Sequence, residues 1–204
     1  MPPWNRPRPR PAVHQKEAVE RIGPIATPDD IFVSTGSEMA WLVREQLPNL
    51  PEDHLIIEPA LRNTGPAIGL ECALMEARFP GCAVASLGSD HFIGMADEFC
   101  RLLQVAEETI NTHGDQLLVM GAKPTRPETG YGYIRTGSEL GEFMGEPVYR
   151  VEQFTEKPDE VSARAYLESG RYLWNINMFV WKAATMLDLI ARFEPQMYAV
   201  LMHI

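Results

Sequence analysis

The stretch "CAVASLGSD", residues 82–90, is a run of small and mostly apolar residues that ends in a carboxylate. A continuous apolar run of this length is typical of a strand in a sheet that is covered on both faces. Six other segments are rich in strand-forming residues, and amphipathic patterns separate several of them: residues 30–35, 54–59, 116–122, 131–136, 148–157 and 176–182. Strands that alternate with helices predict an α/β fold, with a mainly parallel sheet and helices on both faces.

The composition excludes several classes of protein. With 45% hydrophobic and 23% charged residues among 204, the chain matches an ordinary soluble globular domain. It has no apolar run of the roughly 18 to 20 residues that cross a membrane, so we expect no membrane association. The net charge of −10 repels nucleic acid backbones, so we expect no nucleic acid polymer as a partner.

The N-terminal residues and the cysteines indicate the cellular compartment of the protein. Residues 1–13 are rich in proline and arginine, which predicts an extended arm. No apolar segment follows the arginines, as a secretory signal would require. Cys72, Cys82 and Cys100 are odd in number and lack paired metal-ligand spacing, which is typical of buried side chains in a reducing compartment. We therefore expect a cytoplasmic protein.

Polar residues follow two of the predicted strands, where ligands bind in open α/β sheets. Arg62, Asn63 and Thr64 precede a predicted helix start, which would offer backbone N–H groups, an amide and a hydroxyl to a ligand. Ordinary helix capping is the alternative. Asp90 ends the strand at 82–90, and a buried carboxylate must be paired or bind a cation, so it is a candidate Mg²⁺ ligand. Its alternative role is also a helix cap.

Three further motifs carry residues suited to a sugar or a phosphate. "ETGYGYIRTG", residues 128–137, has three glycines and two tyrosines, which indicates either a hairpin turn or a backbone that a ligand approaches closely. Glu156 and Lys157 offer a bidentate acceptor and a compact cation. Asn175 and Asn177 lie inside an apolar run, where buried amides need a partner in the backbone or in a ligand.

Five motifs, taken together and in this order, resemble the central part of the mannose-1-phosphate guanylyltransferases of the sugar-nucleotidyltransferase superfamily. They are "EPALRNTGPAIG" (58–69), "LGSDHFI" (87–93), "PETGYGYI" (127–134), "FTEKPD" (154–159) and "YLWNINMF" (172–179). The resemblance runs from about residue 16 to residue 204. It implies a Rossmann-like nucleotidyltransferase domain over residues 14–204.

The resemblance also implies a reaction and a set of roles. Mannose 1-phosphate would attack the α-phosphorus of GTP with Mg²⁺ assistance, giving GDP-mannose for polysaccharide precursors. By position, the resemblance implies a nucleotide site at Arg62, Asn63, Thr64 and Gly88, a metal site at Asp90, and a sugar pocket at Gly130, Tyr131, Gly132, Glu156, Lys157 and Asn175. Lys157, at the sugar phosphate, and Asp90 would be the catalytic residues.

The sequence departs from the family pattern in three places. The glycine-rich phosphate loop with the pattern GGxGxRLWPxSR does not occur before residue 16, a WSDVGSW-like segment does not occur before residue 204, and Asn177 stands where the family usually has glycine. We therefore expect an incomplete domain with an open sheet edge that favours self-association, including a homo-oligomer. Two alternatives stay open: a non-catalytic remnant that binds sugar phosphate or a partner, and a nucleotidyltransferase for another sugar 1-phosphate.

Overall fold

The computed structural model describes residues 11–60 and 62–203, with the side chains from Gln15 onward. Its helices are α1 (Pro11–Ile22), α2 (Ala40–Gln46), α3 (Thr64–Arg78), α4 (Ala96–Thr112), α5 (Glu160–Ser169), α6 (Ala183–Phe193) and α7 (Pro195–Leu201). Its strands are β1 (Val33–Gly36), β2 (Leu55–Glu58), β3 (Ala83–Ser86), β4 (Leu118–Ala122), β5 (Tyr133–Phe143), β6 (Glu146–Thr155) and β7 (Tyr172–Lys182). Two short 3₁₀ turns precede β1 and β2, at Pro28–Asp30 and Glu52–His54. Each of the seven predicted strands overlaps one of these seven, and the α/β prediction is confirmed.

The predicted Pro/Arg arm falls mostly on residues 1–10, which lie outside the described residues. Helix α1 begins at Pro11, so the last three residues assigned to the arm are helical. Proline is well tolerated at the first position of a helix, because the N–H that it lacks would have no partner within the helix there. Among the described residues, no helix combines the length and the apolar character needed to span a bilayer.

Strand β7 is the centre of the larger sheet. It pairs antiparallel with β3, β4 and β5, and β6 pairs with the outer edge of β5. Trp174 pairs with both Ala122 of β4 and Tyr133 of β5, while Val180 pairs with both Ala85 of β3 and Leu118 of β4. Because a strand has two edges, β3 and β5 must lie end to end along one edge of β7, with β4 along the other.

The central strand β7 runs antiparallel to the strands on its two edges. β1 and β2 form a parallel pair, and β3 and β4 run in the same direction because both are antiparallel to β7. Most pairings in the described part of the chain are therefore antiparallel, although the sequence predicted a mainly parallel sheet. The difference has a physical reason: β7 enters between β3 and β4, and hydrophobic pattern alone does not encode strand direction.

Helices cover both faces of β7, as predicted. Met178 and Val180 pack with the apolar face of α4, which contributes Phe99, Leu103, Ala106 and Ile110. Trp181 points to the opposite face and packs with residues of α3 and α6, among them Leu70, Cys72, Leu187 and Ile190. Side chains alternate between the two faces of a strand, so successive residues of β7 belong to two separate cores.

The two sheets are not joined by a ladder of hydrogen bonds in the described part of the chain. β2 pairs with β1 on one edge and β3 pairs with β7 on one edge, so each has a second edge outside any recorded pairing. Ala83 and Ala85 of β3 are exposed, as is Ile57 of β2 at 40%. In the described part of the chain β2 and β3 each have an edge without a ladder, and the self-association expected from the sequence stays a prediction.

The cysteines are free thiols, in agreement with the sequence analysis. Cys72 and Cys100 are buried and Cys82 is half-buried. The indole N–H of Trp181 donates a hydrogen bond to Cys72 Sγ at 3.2 Å. Burial raises the pKa of Cys72 to about 12, so this thiol stays protonated at neutral pH.

Candidate active site

A β-bulge in β7 forms the centre of the candidate site. Met120 pairs with Met178, but the next residue of β4, Gly121, pairs with Asn175, so Ile176 and Asn177 are extra residues in β7. Asn177 has a φ of 51°, in the left-handed region that a bulge residue often requires. The bulge carries the two asparagines singled out in the sequence.

The sugar-binding residues implied by the resemblance meet at Gly132. The N–H of Asn175 donates to the Gly132 carbonyl at 2.8 Å. A Cβ atom on Gly132 would lie 2.6 Å from Glu156 Oε2 and 3.7 Å from Asn175 Nδ2. Glycine is needed here because two side chains converge over its Cα, not because of a positive φ.

Lys157 joins the same cluster through its backbone. Its N–H donates to the Tyr131 carbonyl at 3.2 Å, and its φ of 44° lies in the left-handed region. Its Nζ lies 3.6 Å from Glu156 Oε1, and both side chains are 66% exposed. A cation and a carboxylate therefore stand side by side at the surface, beside the bare backbone of Gly132.

The loop before Gly132 is held by Glu128, for which the sequence motif predicted no role. Glu128 accepts hydrogen bonds from the Gly130 N–H at 3.1 Å and from Arg126, and its own N–H donates to the hydroxyl of buried Tyr133. The Gly130 N–H and then Arg126 hold the pKa of Glu128 below its usual value of 4.5. In the sequence, this hydrogen bond was indicated only by a glutamate that stands two residues before a glycine.

An aromatic contact closes the base of this loop. Tyr131 packs edge-on against buried Trp174, with ring centroids 5.4 Å apart, and the guanidinium of Arg126 lies 5.4 Å from the same ring. Tyr131 is itself 44% exposed. The second tyrosine of the motif, Tyr133, is fully buried, so the two tyrosines of this motif have different roles.

The segment from Gly88 to Asp90 follows β3, which pairs with the part of β7 after the bulge. The last pair of that ladder joins Ser86 and Phe179. Before the bulge, Tyr133 pairs with Trp174, and the Asn175 N–H donates to the Gly132 carbonyl. The end of β3 and the start of β5 therefore flank the bulge, and the closeness of Asp90 to the sugar cluster stays a prediction.

Asp90 does not have the capping role considered as its alternative. Helix α4 begins at Ala96, and its N-cap is Met95. The carboxylate of Asp90 is 86% exposed and lies 3.4 Å from His91 Nδ1. A Cβ on Gly88 would lie 2.9 Å from that same Nδ1, so glycine permits the tight turn.

The residues at the start of α3 are exposed and lie apart from the sugar cluster, with no contact to it recorded in the described residues. Asn63 is the N-cap and has a φ of 67°, yet its side chain makes no capping hydrogen bond. Thr64 is the first helical residue. Because α3 begins six residues after the end of β2, its N-terminus lies near the carboxyl end of β2, where ligands bind in open α/β sheets.

Backbone strain coincides with these motifs. The described non-glycine residues with a positive φ are Asn63, Met144, Lys157 and Asn177. Met144 belongs to the tight turn between β5 and β6, and each of the other three lies in a different site motif. Strained backbone of this kind persists where the surrounding structure imposes it, and it concentrates at functional sites. Sequence reasoning could not detect it.

A metal at this site would have to be shared with a substrate. The described residues contain no group of three or more His, Cys, Asp or Glu side chains that could hold an ion alone. Magnesium is commonly held by one or two carboxylates together with substrate phosphates. Asp90 is 86% exposed and not buried as the sequence predicted, so desolvation does not require a cation beside it. Its role as a ligand of a metal shared with substrate phosphates stays a prediction.

Comparison with known proteins agrees with this geometry. Residues 24–204 match the family described as Nucleotidyl transferase. The chain belongs to the nucleotidyl transferase family. Mannose-1-phosphate guanylyltransferase RfbM of Salmonella typhimurium is 34% identical over 187 residues, which are 90% of this chain and 38% of that protein. Xanthan biosynthesis protein XanB of Xanthomonas campestris is 37% identical over 179 residues, or 86% of this chain and 36% of that protein.

Solved structures share this fold. A Thermus thermophilus structure described as a mannose-1-phosphate geranyltransferase has a TM-score of 0.81 and 28% identity, covering 93% of this chain and 53% of that one. A Helicobacter pylori structure described as a mannose-6-phosphate isomerase has a TM-score of 0.75 at 22% identity, a likeness of fold. This nucleotidyl transferase chain spans about two fifths of the length of the curated relatives.

Proposed function

We propose that the chain carries the sugar-phosphate site of a mannose-1-phosphate guanylyltransferase, which transfers a guanylyl group from GTP to mannose 1-phosphate. The convergence of Glu156 and Asn175 over Gly132, beside Lys157, carries this proposal. It gathers a hydrogen-bond acceptor, an amide and a cation around bare backbone. The acceptor and the amide can form hydrogen bonds with the hydroxyls and ring oxygen of a phosphorylated sugar, and the cation can pair with its phosphate.

Each residue has a role that follows from its chemistry. Glu156 accepts hydrogen bonds from sugar hydroxyls, Lys157 pairs with the sugar phosphate, and Asn175 donates to and accepts from the sugar. A phosphate oxygen of mannose 1-phosphate forms a bond to the α-phosphorus of GTP, and the bond to the leaving pyrophosphate breaks. Positioning and charge neutralisation support such a transfer, so it requires no protein nucleophile.

The nucleotide end of the site would be formed by the turn after β3 and the start of α3. Arg62, Asn63 and Thr64 stand at the N-terminus of a 15-residue helix, where free N–H groups favour an anion. Gly88, in the tight turn before Asp90, would stand beside the nucleotide. Asp90 would hold Mg²⁺, which neutralises phosphate charge when bound.

Binding of mannose 1-phosphate to the full chain, measured by calorimetry, tests the sugar half of the proposal. Lys157→Ala should weaken binding about tenfold, because hydrogen bonds to charged groups contribute about 1.5 kcal/mol or more and this ammonium is largely exposed. Lys16→Ala is the matched control, since Lys16 pairs with Glu20 on α1. Equal affinities for both variants would refute the role of Lys157.

Release of pyrophosphate from GTP in the presence of mannose 1-phosphate and Mg²⁺ tests the reaction. Sugar-phosphate binding without release of pyrophosphate would favour a non-catalytic binding protein. Tighter binding of glucose 1-phosphate would favour transfer to another sugar. Failure to bind any sugar 1-phosphate would refute the proposed function.

A further inference from the structure

We infer that Asn177 is a positioning residue, which holds the Asn175 amide in one orientation toward the sugar through its backbone N–H and strengthens that hold through its side-chain oxygen. This inference rests on the proposed function, in which Asn175 contacts the sugar. Two hydrogen bonds join the residues. The Asn177 N–H donates to Asn175 Oδ1 at 3.0 Å, and Asn175 Nδ2 donates to Asn177 Oδ1 at 3.1 Å.

These bonds determine that Asn175 Oδ1 faces the backbone N–H of Asn177 and that Asn175 Nδ2 faces the side-chain oxygen of Asn177. The backbone N–H of Asn177 can only donate, so the atom opposite it must be the amide oxygen. Rotating the amide by half a turn would oppose two donors and separate the Nδ2 group from its acceptor. Asn175 therefore keeps one free N–H and one free lone pair in defined directions.

The backbone at Asn177 makes this role separable from a structural one. Its φ of 51° is a conformation that glycine adopts freely, that asparagine and aspartate tolerate, and that most other residues avoid. Glycine would satisfy the bulge at least as well. Asparagine adds an acceptor for Asn175, which glycine cannot supply.

The pair also determines the pattern of donors and acceptors that a ligand meets. Asn175 stands beside Glu156, since both approach the Cα of Gly132. Glu156 accepts hydrogen bonds and the free N–H of Asn175 donates one. Neighbouring sugar hydroxyls, one donating and one accepting, match this pattern. Without the Asn177 side chain, one bond instead of two would hold the Asn175 amide, which would then be less restricted in its orientation and would discriminate less.

The test compares Asn177→Gly and Asn177→Asp in the full chain. Aspartate tolerates the same backbone conformation and keeps an oxygen acceptor, so it is the matched control for the bond from Asn175. NMR measures hydrogen exchange of the Asn175 side-chain amide, which Asn175→Ala identifies. We expect about fivefold faster exchange in Asn177→Gly than in wild type, because the loss of one such hydrogen bond changes the equilibrium between the closed and open states of the amide by about this factor. In Asn177→Asp the protection should be retained.

Two further readouts separate positioning from general loosening. Asn177→Gly should bind mannose 1-phosphate about fivefold more weakly while its Tm stays equal or rises, because glycine suits the positive φ. Unchanged exchange, unchanged affinity, or a Tm that falls together with the affinity would each overturn the inference. Absence of binding to wild type would refute the proposed function, and the exchange rates would still determine whether Asn177 holds Asn175.

Discussion

Replacing Gly132 with alanine tests the geometry of the candidate site most directly. The new Cβ would lie 2.6 Å from Glu156 Oε2, whereas ordinary contact begins at 3.4 Å. Glu156 must therefore withdraw by the difference, about 0.8 Å. The backbone presents no obstacle, because the φ of Gly132 is not in the left-handed region.

The displacement should affect binding far more than folding. Oε2 is the far end of a flexible side chain that is 66% exposed, so its movement costs little stability. We expect the free energy of unfolding to change by less than about 1 kcal/mol, partly offset by the lower entropy of the unfolded chain. A hydrogen bond from a sugar hydroxyl to Glu156, stretched by this amount, would pass beyond normal length. Losing such a bond weakens binding by about tenfold or more.

Calorimetric titration with mannose 1-phosphate and thermal unfolding measure the two effects. Gly114→Ala is the control, because its nearest neighbours would be Ile110 O at 3.4 Å and Lys182 Cγ at 3.6 Å, and its φ is also not positive. We expect Gly114→Ala to bind as wild type does. If Gly132→Ala bound mannose 1-phosphate with unchanged affinity, Glu156 would not contact the sugar from its present position.

Three other outcomes are expected. Lys157→Gly should raise the free energy of unfolding by about 0.5 to 1 kcal/mol, because the φ of 44° at Lys157 favours glycine. The same change should weaken binding of the sugar phosphate. A lower Tm would contradict the expected gain in stability. The pKa of Glu128 is lower in the folded chain, so the stabilisation of the fold by the Glu128 carboxylate is complete above its ordinary pKa of 4.5 and is lost as the pH falls further. The Gly130 amide should lose protection from hydrogen exchange over that range. In Glu128→Gln the protection of the Gly130 amide should be equally weak at every pH. Cys72, with a pKa of about 12, should resist alkylation at pH 8 in the folded chain and react after unfolding, and rapid labelling of the native protein would contradict its burial.

The order of the strands was accessible from the sequence, because apolar runs and turn residues alternate clearly along the chain. The direction of β7 was not. Nothing in "INMFVWK" distinguishes a strand that runs with its neighbours from one that separates them, since both are buried on two faces. β5 was likewise predicted too short, as residues 131–136, and β6 was predicted two residues too late, as residues 148–157. The turn at Met144 depends on a positive φ that no propensity suggests.

The site could be predicted in composition but not in its contacts. Glu156, Lys157 and Asn175 were chosen by residue type and motif, and they do lie together. The reason for Gly132 required coordinates, because the crowding comes from residues more than 20 positions away. The capping alternative for Asp90 was excluded only when Met95 proved to be the N-cap of α4. Conformational strain at Lys157 and Asn177 is a property of the folded backbone, so residue identity alone did not reveal it.

The absence of a ladder between the two sheets in the described residues has a consequence for how the chain opens. Ile56 is the one fully buried residue of β1 and β2, and it reaches the rest of the molecule through the core beneath α3. β7, in contrast, contributes to several cores. Opening of the β1–β2 pair should therefore require less free energy than opening of β7, and its amides should exchange with solvent first. Three of the four proposed nucleotide residues, at positions 62–64, lie just after β2, and the proposed sugar residues lie on or beside β7. The two halves of one site would then belong to units of unequal local stability, and a ligand that bridged them would slow the exchange of the weaker unit.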